Sequence, residues 1–256
     1  MIRRERSPYS VHAVESALEL LEILTGDHET PTLPFLSETM NLSRNKVFRL
    51  LATLEDRGLV EKEETSGCYR LGLPAAELAQ KVLKSVSLIR IAHPVMESLA
   101  RKHDEAVYMT VLSGDDVLFL DMVDSGQQIK AESLVGERFP FFTNAAGKVI
   151  RALESRDILE RVFRKRPRQQ TVDIKRLEEE LNQIRNRGVA VDAGGLGEGL
   201  ITVAVAVRDY AGKVVGALTM IGPSFRMLAG RLESEIIPSL TEGADILSYK
   251  FGYAKI

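Results

Sequence analysis

Ser43-Arg44-Asn45-Lys46-Val47-Phe48-Arg49-Leu50-Leu51-Ala52-Thr53-Leu54 is the stretch whose reading decides the fold. Val47, Leu50, Leu51 and Leu54 recur at i, i+3, i+4 and i+7, the spacing of one buried face of a helix. Asn45 and Arg49 fall on the opposite face, with Lys46, Phe48 and Thr53 beside them and Arg44 in the first turn. Ser43 is an N-cap residue, its hydroxyl able to accept from a free backbone N–H of that turn. The stretch carries three basic residues and no acidic one. A helix that buries one side and shows Arg, Asn and Lys on the other suits the major groove of duplex DNA, where such side chains bond to base edges. A solvated amphipathic helix would have the same stripe, and the flanking sequence separates the two readings.

Upstream, Val14, Ala17, Leu18, Leu21 and Leu24 predict a helix over about Val11–Leu24, ended by Gly26. A shorter helix is expected over Leu33–Met40, capped by Thr32 with Pro34 in its first turn. Asn41-Leu42-Ser43 then leads into the opening stretch, so two short helices meet across a tight link, the helix-turn-helix pattern. Downstream, Gly58 stops the helix, and Leu59–Lys62 and Cys68–Leu71 read as two strands around a Thr65-Ser66-Gly67 turn. A hairpin there is a wing, whose tip and Arg70 are placed to reach the DNA backbone or minor groove. Arg3, Arg4 and Arg6 with Pro8 suggest a mobile basic tail over residues 1–9.

Leu73–Lys84 reads as a linker helix, and a new helical stripe (Leu88, Ile89, Ala92, Val95, Met96, Leu99) begins near Val86, with Pro94 expected to kink or restart it. From Ala106 the period becomes two. Strands are expected at Ala106–Leu112, Val117–Val123 and Ile129–Val135, and again at Thr202–Arg208 and Lys213–Ile221. Helices are expected at Ala145–Leu153, Asp157–Phe163, Ile174–Arg187 (capped by Asp173, stopped by Gly188) and Gly230–Tyr249. The fold class is therefore α+β, with an N-terminal winged helix-turn-helix over residues 1–72, a linker helix over 73–86, and an antiparallel sheet with helices over 87–256.

The 256 residues are 45% apolar, enough for a substantial core, and the net charge of −2 confines any nucleic-acid contact to local charge. One cysteine, Cys68, excludes an internal disulfide and a cysteine-rich zinc cluster, and the four histidines lack ligand spacing. No metal or cofactor is expected. No signal peptide and no membrane-spanning run is evident, so a cytoplasmic setting without membrane contact is expected.

In this order and spacing, several stretches resemble the IclR family of bacterial transcription regulators over nearly the whole chain. Leu42–Leu54 is similar to the family's recognition helix, and Gly58-Leu59-Val60 with Tyr69-Arg70-Leu71-Gly72 to its wing. Val135–Pro140 through Ala146-Gly147-Lys148, Ile184–Asp192 and Gly212–Leu218 to Gly222-Pro223 are similar to its effector domain. The resemblance implies a GAF-like second domain and a homodimer or dimer of dimers on an inverted-repeat DNA operator. It also implies a small organic acid or aromatic effector. Carried over by position, the effector pocket maps to Phe139, Asn144, Ala145, Ala146, Asp192, Leu200, Thr202 and Thr219. The chain departs from the pattern at Thr202, where the family often has cysteine, and at Ala193-Gly194-Gly195-Leu196-Gly197, where an acidic run is usual.

The residues also speak for themselves. A helix starting at Asn144-Ala145-Ala146-Gly147 offers backbone N–H groups without intrahelical partners and small side chains that allow close approach, which suits a carboxylate. Asp192 could accept from a ligand hydroxyl. Ala146-Gly147-Lys148-Val149 lacks the upstream glycine and the following Ser/Thr of a phosphate loop, and Gly194–Gly199 lacks dinucleotide spacing. No catalytic constellation is visible, so no enzyme activity is expected. Two alternatives stand: a winged-helix protein whose second domain converts a small acid, and a winged-helix protein-interaction module.

Overall fold

The computed structural model describes residues 9–26, 30–85, 87–154 and 173–254. The chain divides into two units, Met1–Ser85 and Val86–Ile256. The expected basic tail and the expected helix over Asp157–Phe163 lie outside the described residues.

The first unit contains α1 (His12–Leu24), α2 (Leu33–Thr39), α3 (Arg44–Asp56), the hairpin β1 (Val60–Lys62) and β2 (Tyr69–Leu71), and α4 (Leu73–Ser85). Leu20 of α1, Leu36 of α2, and Val47, Leu51 and Leu54 of α3 meet in one core with Val60 and Tyr69 of the hairpin. Leu50 is only half-buried, so the stripe of α3 is centred on Val47 and Leu51. The turn between α2 and α3 is closed by the Ser37 hydroxyl donating to the Leu42 carbonyl at 2.6 Å. Thr32 precedes α2 in extended conformation, but its side chain makes no capping bond; its backbone bridges to Cys68 instead. Gly58 stops α3 at φ 68°, a left-handed conformation that glycine adopts without steric cost.

The second unit is a six-stranded antiparallel sheet in the order β5-β4-β3-β8-β7-β6. Its strands are β3 (Ala106–Ser113), β4 (Asp116–Val123), β5 (Arg138–Pro140), β6 (Val189–Ala193), β7 (Leu200–Arg208) and β8 (Val214–Pro223). Alternation along the strands divides them between two cores. Val107, Met109, Val203, Val205, Leu218 and Met220 pack with α5 (Ser87–His103) and the C-terminal helix α8 (Ile237–Lys250). On the other face, Tyr108, Phe119, Ala190, Ala204, Ala217 and Ile221 pack with α6 (Ala145–Ala152) and α7 (Ile174–Arg187). Asp173 caps α7 and Gly188 ends it.

Three expectations are corrected. Of the kink or restart expected at Pro94, the restart is overturned: α5 runs unbroken from Ser87 to His103 with Pro94 inside it. The ring removes one backbone donor, but Ala92, Val95, Met96 and Leu99 are buried against the sheet and hold the helix together. Ile129–Val135 is not a strand. That segment is pinned by side chains: Lys130 bonds to Asp124, and Arg226 donates to the Ile129 carbonyl at 2.8 Å. The edge of β4 is taken by β5 through Phe139↔Val117. The last helix is interrupted. A short turn, Ala229–Arg231, passes through π-helical Leu232–Ile236 before α8 begins with Pro238 in its first turn. No helix among the described residues is long and apolar enough to cross a membrane.

Candidate functional site

Two surfaces were singled out from the sequence. The first is the outer face of α3. Ser43 stands extended ahead of the helix and accepts from the Lys46 amide at 3.4 Å. Arg44, Asn45, Lys46, Phe48, Arg49 and Thr53 are all exposed, and Phe48 keeps 52% of its surface open. Thr53 turns its hydroxyl back to the Arg49 carbonyl at 2.7 Å. Arg70, on the wing, is exposed but held by Glu61 across the hairpin at 3.1 Å. With Glu63 and Glu64 following, the wing is a weaker cationic surface than α3.

The second surface surrounds the start of α6. Asn144 is fully buried. Its side-chain oxygen accepts from the Gly147 amide at 2.9 Å, and its NH2 donates to the Pro140 carbonyl at 3.2 Å. By helix geometry the amides of Ala145 and Ala146 have no intrahelical acceptor. Both alanines are fully buried. The sheet brings the other sequence-predicted residues to the same side. Phe139 and Leu200 pack on the α6 core. Asp192 pairs with Thr202 across β6 and β7, and Ala204 with Thr219 across β7 and β8. Gly195 follows in the loop after β6. A Cβ there would lie 1.8 Å from the Thr143 carbonyl oxygen, so only glycine lets this loop close on the turn before α6.

The polar groups here have definite remaining capacities. Thr110 donates to the Ala217 carbonyl at 3.0 Å and lies 3.2 Å from the Thr219 hydroxyl. With the one Thr110 proton committed, Thr219 is the donor of that pair and keeps acceptor capacity. Asp192 accepts from the Gly195 amide at 2.9 Å and from Lys148 Nζ at 2.6 Å; Lys148 also donates to Glu180 at 2.9 Å. Burial by itself would lower the Lys148 pKa, but its bonds to Asp192 and Glu180 outweigh this and hold it above the ordinary 10.5. Lys148 is thus a buried cation between two carboxylates.

Sequence reading missed Tyr108. It is fully buried on β3 between Met122 and Thr219, edge-on to Phe119 at 5.3 Å. Its hydroxyl has no hydrogen bond of ordinary geometry; the Leu134 backbone approaches it without meeting that geometry. Burial raises its pKa, the Leu134 backbone offsets part of the rise, and Asp124 adds to it. Sequence reading also missed Glu105, 1% exposed, which binds Arg226 through both oxygens at 2.8 Å and Arg231 at 3.0 Å. Its signal was a carboxylate immediately before an otherwise apolar strand, with partners 121 and 126 residues away.

A winged helix-turn-helix with an exposed basic helix, joined to a separate α+β unit, defines a helix-turn-helix transcription regulator. Comparison with known families sets which one. A family model described as bacterial transcriptional regulator IclR C-terminal matches residues 80–249, and the IclR helix-turn-helix domain matches residues 13–64. The chain belongs to the IclR family of transcriptional regulators, with a DNA-binding helix-turn-helix domain and an effector-binding C-terminal domain. It is 32% identical to the HTH-type transcriptional regulator KdgR of Escherichia coli over 254 residues, covering 97% of this chain and 96% of the relative. Its fold is similar to that of an IclR-type regulator from Alicyclobacillus acidocaldarius, with a TM-score of 0.83, 23% identity, and 96% and 100% of the two chains covered. It is likewise similar to an IclR homologue from Microbacterium hydrocarbonoxydans solved with 4-hydroxybenzoate, with a TM-score of 0.77, 23% identity, and 93% and 98% covered.

Proposed function

We propose that this regulator reads an inverted-repeat operator through α3 as a symmetric assembly. In this reading its second unit senses a small organic acid, aliphatic or aromatic, with the carboxylate at Asn144–Ala146. Arg49 and Asn45 reach base edges, while Arg44 and Lys46 serve phosphates or the groove rim. Phe48, Thr53 and Arg70 border that contact. A single winged helix covers only about 600–1,000 Å² on DNA, so two copies are needed for specificity. Exposed apolar residues offer surfaces for pairing: Val14 and Leu18 on α1, and Leu73, Leu78 and Val82 on α4. Sedimentation showing a monomer at micromolar concentration, with and without DNA, would contradict the assembly.

The observation that carries the sensor reading is the buried, alanine-lined start of α6, whose free amides and positive dipole end favour an anion. Phe139 and Leu200 supply apolar walls, and Asp192, Thr202 and Thr219 supply polar contacts. The bound acid in the Microbacterium relative is consistent with this chemistry. Calorimetry with a carboxylate hit tests it on wild type and on Ala146→Leu, a substitution that fills the anion seat. Thr202→Val serves as the milder second variant. Loss of binding in Ala146→Leu and weakening in Thr202→Val are expected; unchanged affinity in both would place the site elsewhere. The enzymatic alternative has no observation in its favour: the one cysteine lies on the wing hairpin, in the other unit.

A further inference from the structure

One side chain interrupts the polar outer face of α3. Phe48 keeps 52% of its surface open, and Arg44, Asn45 and Arg49 around it are exposed as well. Helix α3 enters the core of the first unit through Val47, Leu51 and Leu54, and Phe48 lies outside that cluster. A lone exposed apolar residue is ordinary on a protein surface. What singles out Phe48 is its place. Among the described residues, the other exposed large apolar side chains of the first unit lie on α1, just ahead of it, or on α4.

At 3.6 residues per turn, Phe48 stands about 60° around the helix from Asn45 and about 40° from Ala52. It therefore flanks the arc that Asn45 and Arg49 occupy. Ala52, half-buried one turn on, extends the ring into a short apolar strip beside cations. Protein partners dock on apolar patches of several hundred Å² or more, and one ring with one methyl group supplies far less. The cations beside the strip favour a polyanion instead. The major groove holds one apolar group among its donors and acceptors, the C5 methyl of thymine. A phenyl ring set over the amino or carbonyl group of another base blocks that group without bonding to it, which lowers affinity. Set against the methyl, the ring removes apolar surface from water on both sides.

We propose that Phe48 is a specificity-determining residue of the operator contact, packing on the C5 methyl of a thymine in each half-site. This inference rests on the reading of α3 as the helix that enters the operator groove; it adds the base that Phe48 selects and the group by which it does so. Asn45 and Arg49 read by hydrogen bonds, and Phe48 reads by apolar contact and by exclusion of polar base edges.

The test uses the full-length protein and a duplex that it selects from a random-sequence pool. Each thymine is replaced in turn by deoxyuridine, which pairs alike and lacks only the methyl group. At one thymine position in each half-site, wild type should lose about three- to fivefold in affinity, the effect of burying one methyl group. Phe48→Ala should bind the thymine duplex more weakly and no longer distinguish thymine from uracil at that position. Arg49→Ala should still distinguish them. Melting curves check the fold of each variant, and Phe48→Gln, which suits an exposed helix position, serves as the second variant with the same expected loss. Methyl sensitivity undiminished in both Phe48 variants overturns the inference, and so does its absence at every thymine in wild type. If a preferred duplex is found and Arg49→Ala loses that preference while no thymine methyl matters, only this inference fails. If the pool yields no sequence bound better than unrelated DNA, the operator reading fails with it.

Discussion

Two helices in this chain begin alike and end up with opposite surroundings. Ser43 and Asn144 both stand extended before the first turn, and each accepts from the amide three residues on, at 3.4 Å and 2.9 Å. Around Ser43 the residues Arg44, Asn45 and Lys46 are exposed, whereas every residue of α6 is buried. A helix start with long cationic side chains in solvent can meet a polymer in its groove. A helix start with alanines under a sheet can meet only a molecule small enough to enter. The dipole and the free amides are common to both, so in the proposed reading burial and side-chain length separate a DNA contact from a small-anion seat.

The caps give the largest contrast in stability. Asn144→Ala should cost about 1–3 kcal/mol, because it leaves the buried Gly147 amide unsatisfied, while the Pro140 carbonyl keeps the Thr143 hydroxyl as a donor. Ser43→Ala should cost about 0.5–1 kcal/mol, since water replaces the lost bond at an exposed start. Chemical unfolding of the two variants measures the difference, and equal costs would remove burial as the distinguishing feature. Arg49→Ala should lose about 1–3 kcal/mol of operator discrimination with the fold intact, read from competition between specific and unrelated DNA. Its acid affinity should stay at the wild-type value.

Charge sharpens the contrast further. Lys148 holds its proton more tightly folded than unfolded. Its stabilising pairing with Asp192 and Glu180 is therefore fully present below the unfolded value of 10.5 and is lost as pH rises through the higher folded value. Melting curves at pH 9 and above pH 10.5 should show a steeper fall for wild type than for Lys148→Met. On the exposed side, Glu61→Gln should change stability by no more than about 0.5 kcal/mol, as an exposed ion pair contributes little. It frees Arg70, so DNA affinity at low salt should rise slightly, read by fluorescence anisotropy.

What could be read in advance follows the same division. The α3 face, its Ser43 cap, and the Gly58 and Gly188 stops are local features, and the structure places them as expected. The antiparallel α+β sheet followed from period-two alternation in β3, β4, β7 and β8. Short β5 escaped because Ile129–Val135 carries the β-branched signal while the chain there is pinned by Arg226 and Asp124. Tyr108 and Glu105 escaped because their importance lies in contacts, or a missing contact, across the sheet and over a hundred residues away. Lys148 looked like the remnant of a phosphate loop, and only the fold reveals the two carboxylates that claim it.

The central claim is that what enters at α6 changes what α3 does. A ligand shifts DNA affinity only through differential binding to the DNA-competent and incompetent arrangements of the protein. Operator titrations with and without a bound organic acid test this directly on wild type and Ala146→Leu. The expected result is a shift in wild-type operator affinity, upward or downward, that disappears in Ala146→Leu while its ligand-free operator affinity is retained. An equal shift in both proteins, or none in wild type at saturating acid, would contradict the account.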